Sequence, residues 1–320
     1  MPNPWLSRFA KLVVGATLCL IFLGGMVTSL DAGLSVPDWP TSYGYNMFTF
    51  PFSQWIGGIF FEHTHRLFAS GVGLLTTILA VGIWKSDRRP WVRKLGLGAF
   101  FLVALQGVFG GLRVTKLSVA LAMVHACTAQ AFLCVLIVLA TVLSPRWRGL
   151  GEYATAAPGK TVRIMSWHLV GAVYIQLILG AVMRHLKAGL AIGDFPLSFG
   201  HLLPPMWSTQ IAIHFAHRAW AVGVTMIATF LVVRIFTLSK KQRSLLVPAL
   251  WIAILIILQI SLGAHVIWLT KAPLVTTLHV LNGAAILGTS LLLALRASHL
   301  ALPESEPVAM QTSSWQEVNA

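Results

Sequence analysis

The chain has 320 residues, 57% of them hydrophobic and 10% charged, which is too apolar for an ordinary soluble domain. Its formal net charge is +14. In a soluble protein that balance would point to nucleic acid. Here the basic residues lie mainly between long apolar runs, so nucleic acid is set aside as a partner and the charge is read as membrane topology.

In chain order the apolar runs are Leu12–Leu30, Trp55–Trp84, Leu95–Leu112, Val119–Leu143, Ile164–Met183, Ile211–Phe236, Leu245–Leu269 and Leu274–Leu295. Each can cross, as a helix, a hydrocarbon core of about 30 Å. Lipid admits only helices and closed barrels, and runs of this length lack the alternation of barrel strands. The expected fold class is an all-α integral membrane protein with eight transmembrane helices.

The charges between the runs give an orientation. Arg8 and Lys11 precede the first span. Lys85, Arg88, Arg89, Arg93 and Lys94 separate the second from the third. Arg146, Arg148, Lys160 and Arg163 separate the fourth from the fifth, and Lys240, Lys241 and Arg243 the sixth from the seventh. The alternate connections hold only Arg113 and Lys116, then Arg184 and Lys187, then Lys271. The positive-inside rule puts both termini in the cytoplasm. MPNPWLSRFAK is too short and too weakly basic for a transit peptide, and no small-residue cleavage site follows it. A bacterial plasma membrane is the expected location. Cys19, Cys127 and Cys134 all fall within spans, so no disulfide is expected in the outer loops. Residues 301–320 are expected to form a polar, disordered cytoplasmic tail.

The chain is written twice. DAGLSVPDWPTSYG, from Asp31, returns as KAGLAIGDFPLSFG, from Lys187. HRLFASGVG, from His65, returns as HRAWAVGVT, from His217. QGVFGGLRVTK corresponds to QISLGAHVIWLTK, and His125 to His279. Four helices are thus duplicated. An even number makes both copies enter the membrane in the same direction, so a pseudo-twofold axis along the membrane normal should relate two tandem four-helix bundles. The expected domains are 1–150, 151–300 and the tail 301–320.

His65, His125, His217 and His279 each lie roughly 10–15 Å below the outer surface, at a rise of 1.5 Å per residue. A lone intramembrane His is often a helix–helix hydrogen bonder. Four at matched depth, duplicated with the repeat, point to function. Two imidazoles on facing helices suit axial ligation of haem iron. A zinc site would want further ligands in each half. A two-His-one-carboxylate iron site is open in the first half through Glu62, but would leave the second half without its carboxylate.

Glu62 is the only acidic residue within any span. It precedes His65 by three residues and Arg66 by four, and His214 stands in its place in the second copy. Two readings stand together: proton handling beside an apolar cofactor, and an intrahelical ion pair with Arg66. Arg66 and Arg218 could compensate haem propionates or, for Arg66, anchor Glu62. His63 points away from His65 around the helix and reads as a helix–helix or interfacial residue. Gln106 and Gln259 occupy matching places and could bond across the bundle. Glycine-rich pieces such as GVFGG, from Gly107, read as close helix packing.

These residues together resemble the haem A synthase family of CtaA-type membrane proteins. The resemblance rests on Glu62-x-x-His65-Arg66, His217-Arg218, His125, His279 and the duplicated outer loop, and spans about Leu12 to His299. It implies oxidation of a methyl of haem O to a formyl group, making haem A for terminal oxidases. It implies a substrate haem held by His65 and His125, haem b held by His217 and His279, and catalysis by Glu62; beside these, Arg218 is read as a candidate contact of that cofactor and Arg66 as a supporting neighbour of the substrate site. It brings in haem O as substrate, haem b as cofactor and the lipid bilayer as surroundings. A haem O synthase, an electron donor such as ferredoxin and a homo-oligomer are the partners to be considered. Some members carry an outer-loop cysteine pair, which this chain lacks. The competing reading is a dihaem b-type electron-transfer protein or quinone oxidoreductase. Both inferred sites lie at one depth in separate bundles, which argues against a wire across the membrane.

Overall fold

The computed structural model describes residues 4–150, 159–238 and 242–300. The tail 301–320, with Lys240 and Lys241, lies outside the described residues. The helices are α1 (Pro4–Ser29), α2 (Gly57–Ser86), α3 (Pro90–Thr115), α4 (Val119–Val142), the short α5 (Pro145–Arg148), α6 (Lys160–His185), α7 (Thr209–Leu238), α8 (Arg243–Trp268) and α9 (Pro273–Leu300). Eight of them are long and apolar enough to cross a membrane, and no strand occurs among the described residues.

α3, α6, α7 and α9 extend beyond their apolar runs at both ends, and α1 does so at its start. α1 starts at Pro4 and α9 ends at Leu300, whereas the runs start at Leu12 and stop at Leu295. The reason is physical: a backbone leaving the hydrocarbon still needs its hydrogen bonds, and Arg8, Lys11 and Arg296 can extend their charged heads toward the interface. Pro90 opens α3 and Pro145 opens α5, at the first helical position, where the missing N–H costs nothing.

α1 packs on α2 and α4, α2 on α3, and α3 on α4. The second set repeats this, with α6 on α7 and α9, α7 on α8, and α8 on α9. Each set has its own core: Leu79, Ile83, Val92, Leu136 and Leu139 in the first, Leu169, Leu231, Ile235, Leu245 and Leu287 in the second. The sets meet through α1–α9, α4–α6 and α4–α9. In lipid such contacts depend on close approach of backbones. Gly25 faces Thr277 and Gly288 faces Ile137 so closely that an added methyl would overlap either neighbour, at 2.8 and 2.7 Å. Arg184 of α6 also crosses to α1, donating to the Gly25 carbonyl and the Ser29 hydroxyl at 2.7 Å each.

The two outer loops share one turn. Asp38 accepts the backbone N–H groups of Tyr43 (2.7 Å) and Gly44 (2.8 Å) and the Thr41 hydroxyl (2.5 Å). Asp194 accepts those of Phe199 (2.7 Å) and Gly200 (2.8 Å). Tyr43 and Phe199 have φ of 51° and 56°, followed by Gly44 and Gly200 at 78°, so each turn needs left-handed backbone that glycine adopts freely. Partial burial pushes the Asp38 carboxyl up, but these donors outweigh it and hold the carboxyl below its ordinary value. In Asp194 the Gly200 and Phe199 N–H groups likewise hold the carboxyl low.

Candidate functional site

His65 is the ninth residue of α2 and His217 the ninth of α7, while His125 and His279 are the seventh of α4 and α9. Helix starts and repeat agree, so each pair enters from the same end at the same depth. His217 and His279 have ring centroids 6.5 Å apart with an interplanar angle of 59°.

Each of the four imidazoles leans on a glycine of the neighbouring helix. Gly24 lies behind His65, Gly110 behind His125, Gly180 behind His217 and Gly263 behind His279. A methyl at these positions would sit 3.0, 3.4, 3.2 and 3.2 Å from the respective ring carbon. The glycines therefore make notches that let a bulky, planar ring lie against a helix backbone. The sequence reading saw Gly110 only as general packing, and the notch is its particular use.

Three glutamines position the rings. Gln176 of α6 places its amide nitrogen 3.2 Å from both nitrogens of the His217 ring and donates to the His217 carbonyl at 3.0 Å. Gln259 donates to the His279 carbonyl at 3.1 Å, lies 3.3 Å from its Nε2, and accepts from Asn282 at 2.7 Å. Gln106, with its amide turned so that both ends are satisfied, donates to the His125 carbonyl (3.1 Å) and Nδ1 (3.0 Å). Gln106 and Gln259 thus bond to the neighbouring helix of their own set. The sequence reading missed Gln176, which has no repeat partner, since Leu20 stands where the first half would carry it.

Glu62 is 3% exposed. Its Oε1 accepts from Arg66 at 2.8 Å and its Oε2 from the Val36 N–H of the outer loop at 2.9 Å. Arg66 also donates to the carbonyls of Val36 and Asp38 at 2.7 Å and Thr41 at 3.2 Å. The second half repeats this clamp with another acceptor. The Ile192 N–H lies 3.2 Å from His214 Nδ1, and Arg218 Nε lies 3.1 Å from His214 Nε2. Arg218 donates further to the carbonyls of Leu197 (2.9 Å), Ile192 (3.1 Å) and Asp194 (2.7 Å). A neutral imidazole has one acceptor nitrogen where a carboxylate has several lone pairs, so His214 is the weaker anchor. All three guanidinium nitrogens of Arg218, expected from its place after His217 to be at the cofactor, face protein acceptors.

His63 is fully buried under the first outer loop. Its Nδ1 is 3.1 Å from the Ser42 hydroxyl, and its ring lies 5.0 Å from Phe50 and 4.6 Å from Trp55. It joins helix to loop, the interfacial half of the expectation. His265 bonds Ser261 of its own helix and His299 stacks on Trp147 at 4.2 Å. His201 belongs to the loop bridge with Ser198. Arg113, passed over in the sequence except as a charge, bonds the Gly33 carbonyl at 2.9 Å and pins the loop from α3.

No cluster of three or more His, Cys, Asp or Glu able to hold a bare metal ion occurs among the described residues. Two imidazoles suffice where a porphyrin supplies the other ligands. Nδ1 of His65 and of His279 is buried without a partner among the described residues, and both pairs have their glycine notches. The residues present fit a haem in each half.

A family model described as COX15-CtaA, cytochrome oxidase assembly protein, matches residues 7–291. The chain is similar to the Heme A synthase of Symbiobacterium thermophilum, 30% identical over 77% of this chain and 80% of that one. It is 27% identical to the Heme A synthase of Alkalihalophilus pseudofirmus, over 82% of this chain and 88% of the relative. The Heme A synthase of Halalkalibacterium halodurans is also 27% identical, over 86% and 91%.

Proposed function

Because the chain belongs to the COX15-CtaA family of cytochrome oxidase assembly proteins, we propose that it is a haem A synthase, a membrane oxidoreductase that turns a methyl of haem O into a formyl group. One observation carries the residue assignment. The loop clamp occurs in both halves, but only the first builds it on a carboxylate. Anchoring the loop therefore does not account for Glu62.

In this reading residues 1–150 hold the substrate between His65 and His125, and residues 151–300 hold haem b between His217 and His279. The two sets form four-helix bundles about a pseudo-twofold axis. The contact of α1 with α9 and its counterpart under exchange of halves, α6 with α4, support that relation. The termini are cytoplasmic, and the membrane is the bacterial plasma membrane.

Haem b, when bound, supplies one-electron transfer. The protein's own residues do the rest. His65 and His125 fix the substrate so that the methyl lies on the Glu62 side, one helical turn from His65. Two successive hydroxylations of that methyl, each a two-electron oxidation in which water supplies the oxygen, two protons are released and the electrons leave to an external acceptor, give a geminal diol, which loses water to the aldehyde. Glu62, held by Arg66 and the Val36 N–H, stabilises positive charge developing at the carbon under attack. The outer loop, pinned by Arg66 and Arg113, keeps bulk water from the site. Arg66 and Arg218 act as loop clamps. The test is conversion of haem O to haem A by purified Glu62→Ala protein beside His214→Ala. A normal rate in Glu62→Ala removes the catalytic assignment.

A further inference from the structure

At the end opposite the histidines, α1, α4, α5 and α9 enclose a cleft of about 390 Å³ between the two sets of helices. Its deeper wall is apolar, with Leu18, Ile137 and Leu292. Its rim carries three cations, Lys11 of α1, Arg146 of α5 and Arg296 of α9, and among the described residues no Asp or Glu lines it. None of the three has an ion-pair partner among the described residues. Arg296 is half-buried and, among the described residues, donates once, to the Ser244 carbonyl at 2.9 Å. Arg296 lies about 25 Å along α9 from His279, so this is not part of either histidine site.

Lys11 and Arg146 are exposed at this rim and Arg296 is half-buried, and like charges gathered at one rim repel one another unless an anion joins them. The anion must also present an apolar body to Leu18, Ile137 and Leu292. The cleft opens on the end that carries the basic connections, and the cytoplasmic leaflet is rich in anionic lipid. We propose that the cleft binds an anionic phospholipid, its phosphate among Lys11, Arg146 and Arg296 and an acyl chain along the apolar wall. Bound there, the lipid bridges the two sets of helices and strengthens their contact. The site stands whatever reaction the histidines serve.

The experiment is native mass spectrometry and thermal unfolding of the full-length protein with added phosphatidylglycerol or phosphatidylcholine. Phosphatidylglycerol should bind at least about tenfold tighter and raise the unfolding midpoint, while inorganic phosphate does neither. Arg146→Gln with Arg296→Gln should abolish the preference, and Arg296→Lys should keep it. If the double variant does not fold, Leu18→Trp, which fills the apolar wall, should weaken binding instead. Equal affinity for the two lipids, or an undiminished preference in both the double variant and Leu18→Trp, overturns the proposal. It also falls if lipid binds only after Glu304→Gln with Glu306→Gln, which would make the chain's own acidic tail the occupant, or if the adduct lost in the variants is a haem.

Discussion

Position 62 in the first half and position 214 in the second do the same mechanical work with different chemistry. Glu62 ties the outer loop to α2 through Val36 and Arg66, and His214 ties its loop to α7 through Ile192 and Arg218. The turns that follow share their two backbone donors, Tyr43 and Gly44 on Asp38 and Phe199 and Gly200 on Asp194. A loop of this shape is thus compatible with a neutral anchor. Burying a carboxylate costs more than burying an imidazole, so its presence in one half alone calls for a purpose beyond anchoring. Under the proposed function that purpose is the reaction, and the second half is the scaffold without it.

The largest effect should come from breaking this asymmetry. Glu62→Ala should lower haem A formation by about 10²–10³-fold, the scale of losing one preorganised electrostatic partner. His214→Ala should change it only a few-fold, because the remaining Arg218 bonds still hold the loop. Comparable losses in both variants, read as haem A formed per enzyme, would reduce Glu62 to an anchor.

Next come the ring notches. Alanine at Gly24, where the added methyl would lie 3.0 Å from the His65 ring, should disturb its histidine more than alanine at Gly110, at 3.4 Å from His125. Overpacking of this kind costs about 1–3 kcal/mol. Gly180→Ala should deplete haem in the second half and Gly24→Ala in the first, measured by the absorbance of purified protein. A Gly110→Ala protein more depleted than Gly24→Ala would contradict the notch.

The smallest effect concerns the loops. Both aspartates have folded pKa values below the ordinary 3.8, so their stabilisation is present in full above that value and is lost as pH falls through the folded value. Each loop should loosen only in strong acid, read as faster amide exchange at residues 38–44 and 194–200. Asp38→Asn should loosen its loop more than Asp194→Asn, since Asp38 also accepts from Thr41 where the second loop has Leu197.

Much of this was legible in the sequence. Eight apolar runs, a duplication and four histidines at one depth each carry residue-type signals that survive without coordinates. The clamps did not show, because Arg66 and Arg218 mostly grip backbone carbonyls, and a carbonyl has no residue signature. For that reason the sequence left propionate and anchor open for Arg66. Gly24 and Gly180 are lost among the many glycines of apolar helices. Gln176 is a single amide with no copy to flag it. His63 drew attention by its neighbours, yet its partners Ser42, Phe50 and Trp55 lie in a loop that periodicity cannot fold.

The division of labour between the halves is tested most directly by extracting haem from purified His65→Ala and His217→Ala proteins and identifying it by chromatography. The account predicts that His65→Ala keeps haem b and loses haem O and haem A, while His217→Ala loses haem b. Loss of the same haem from both variants, or haem b retained in His217→Ala and missing from His65→Ala, would contradict it.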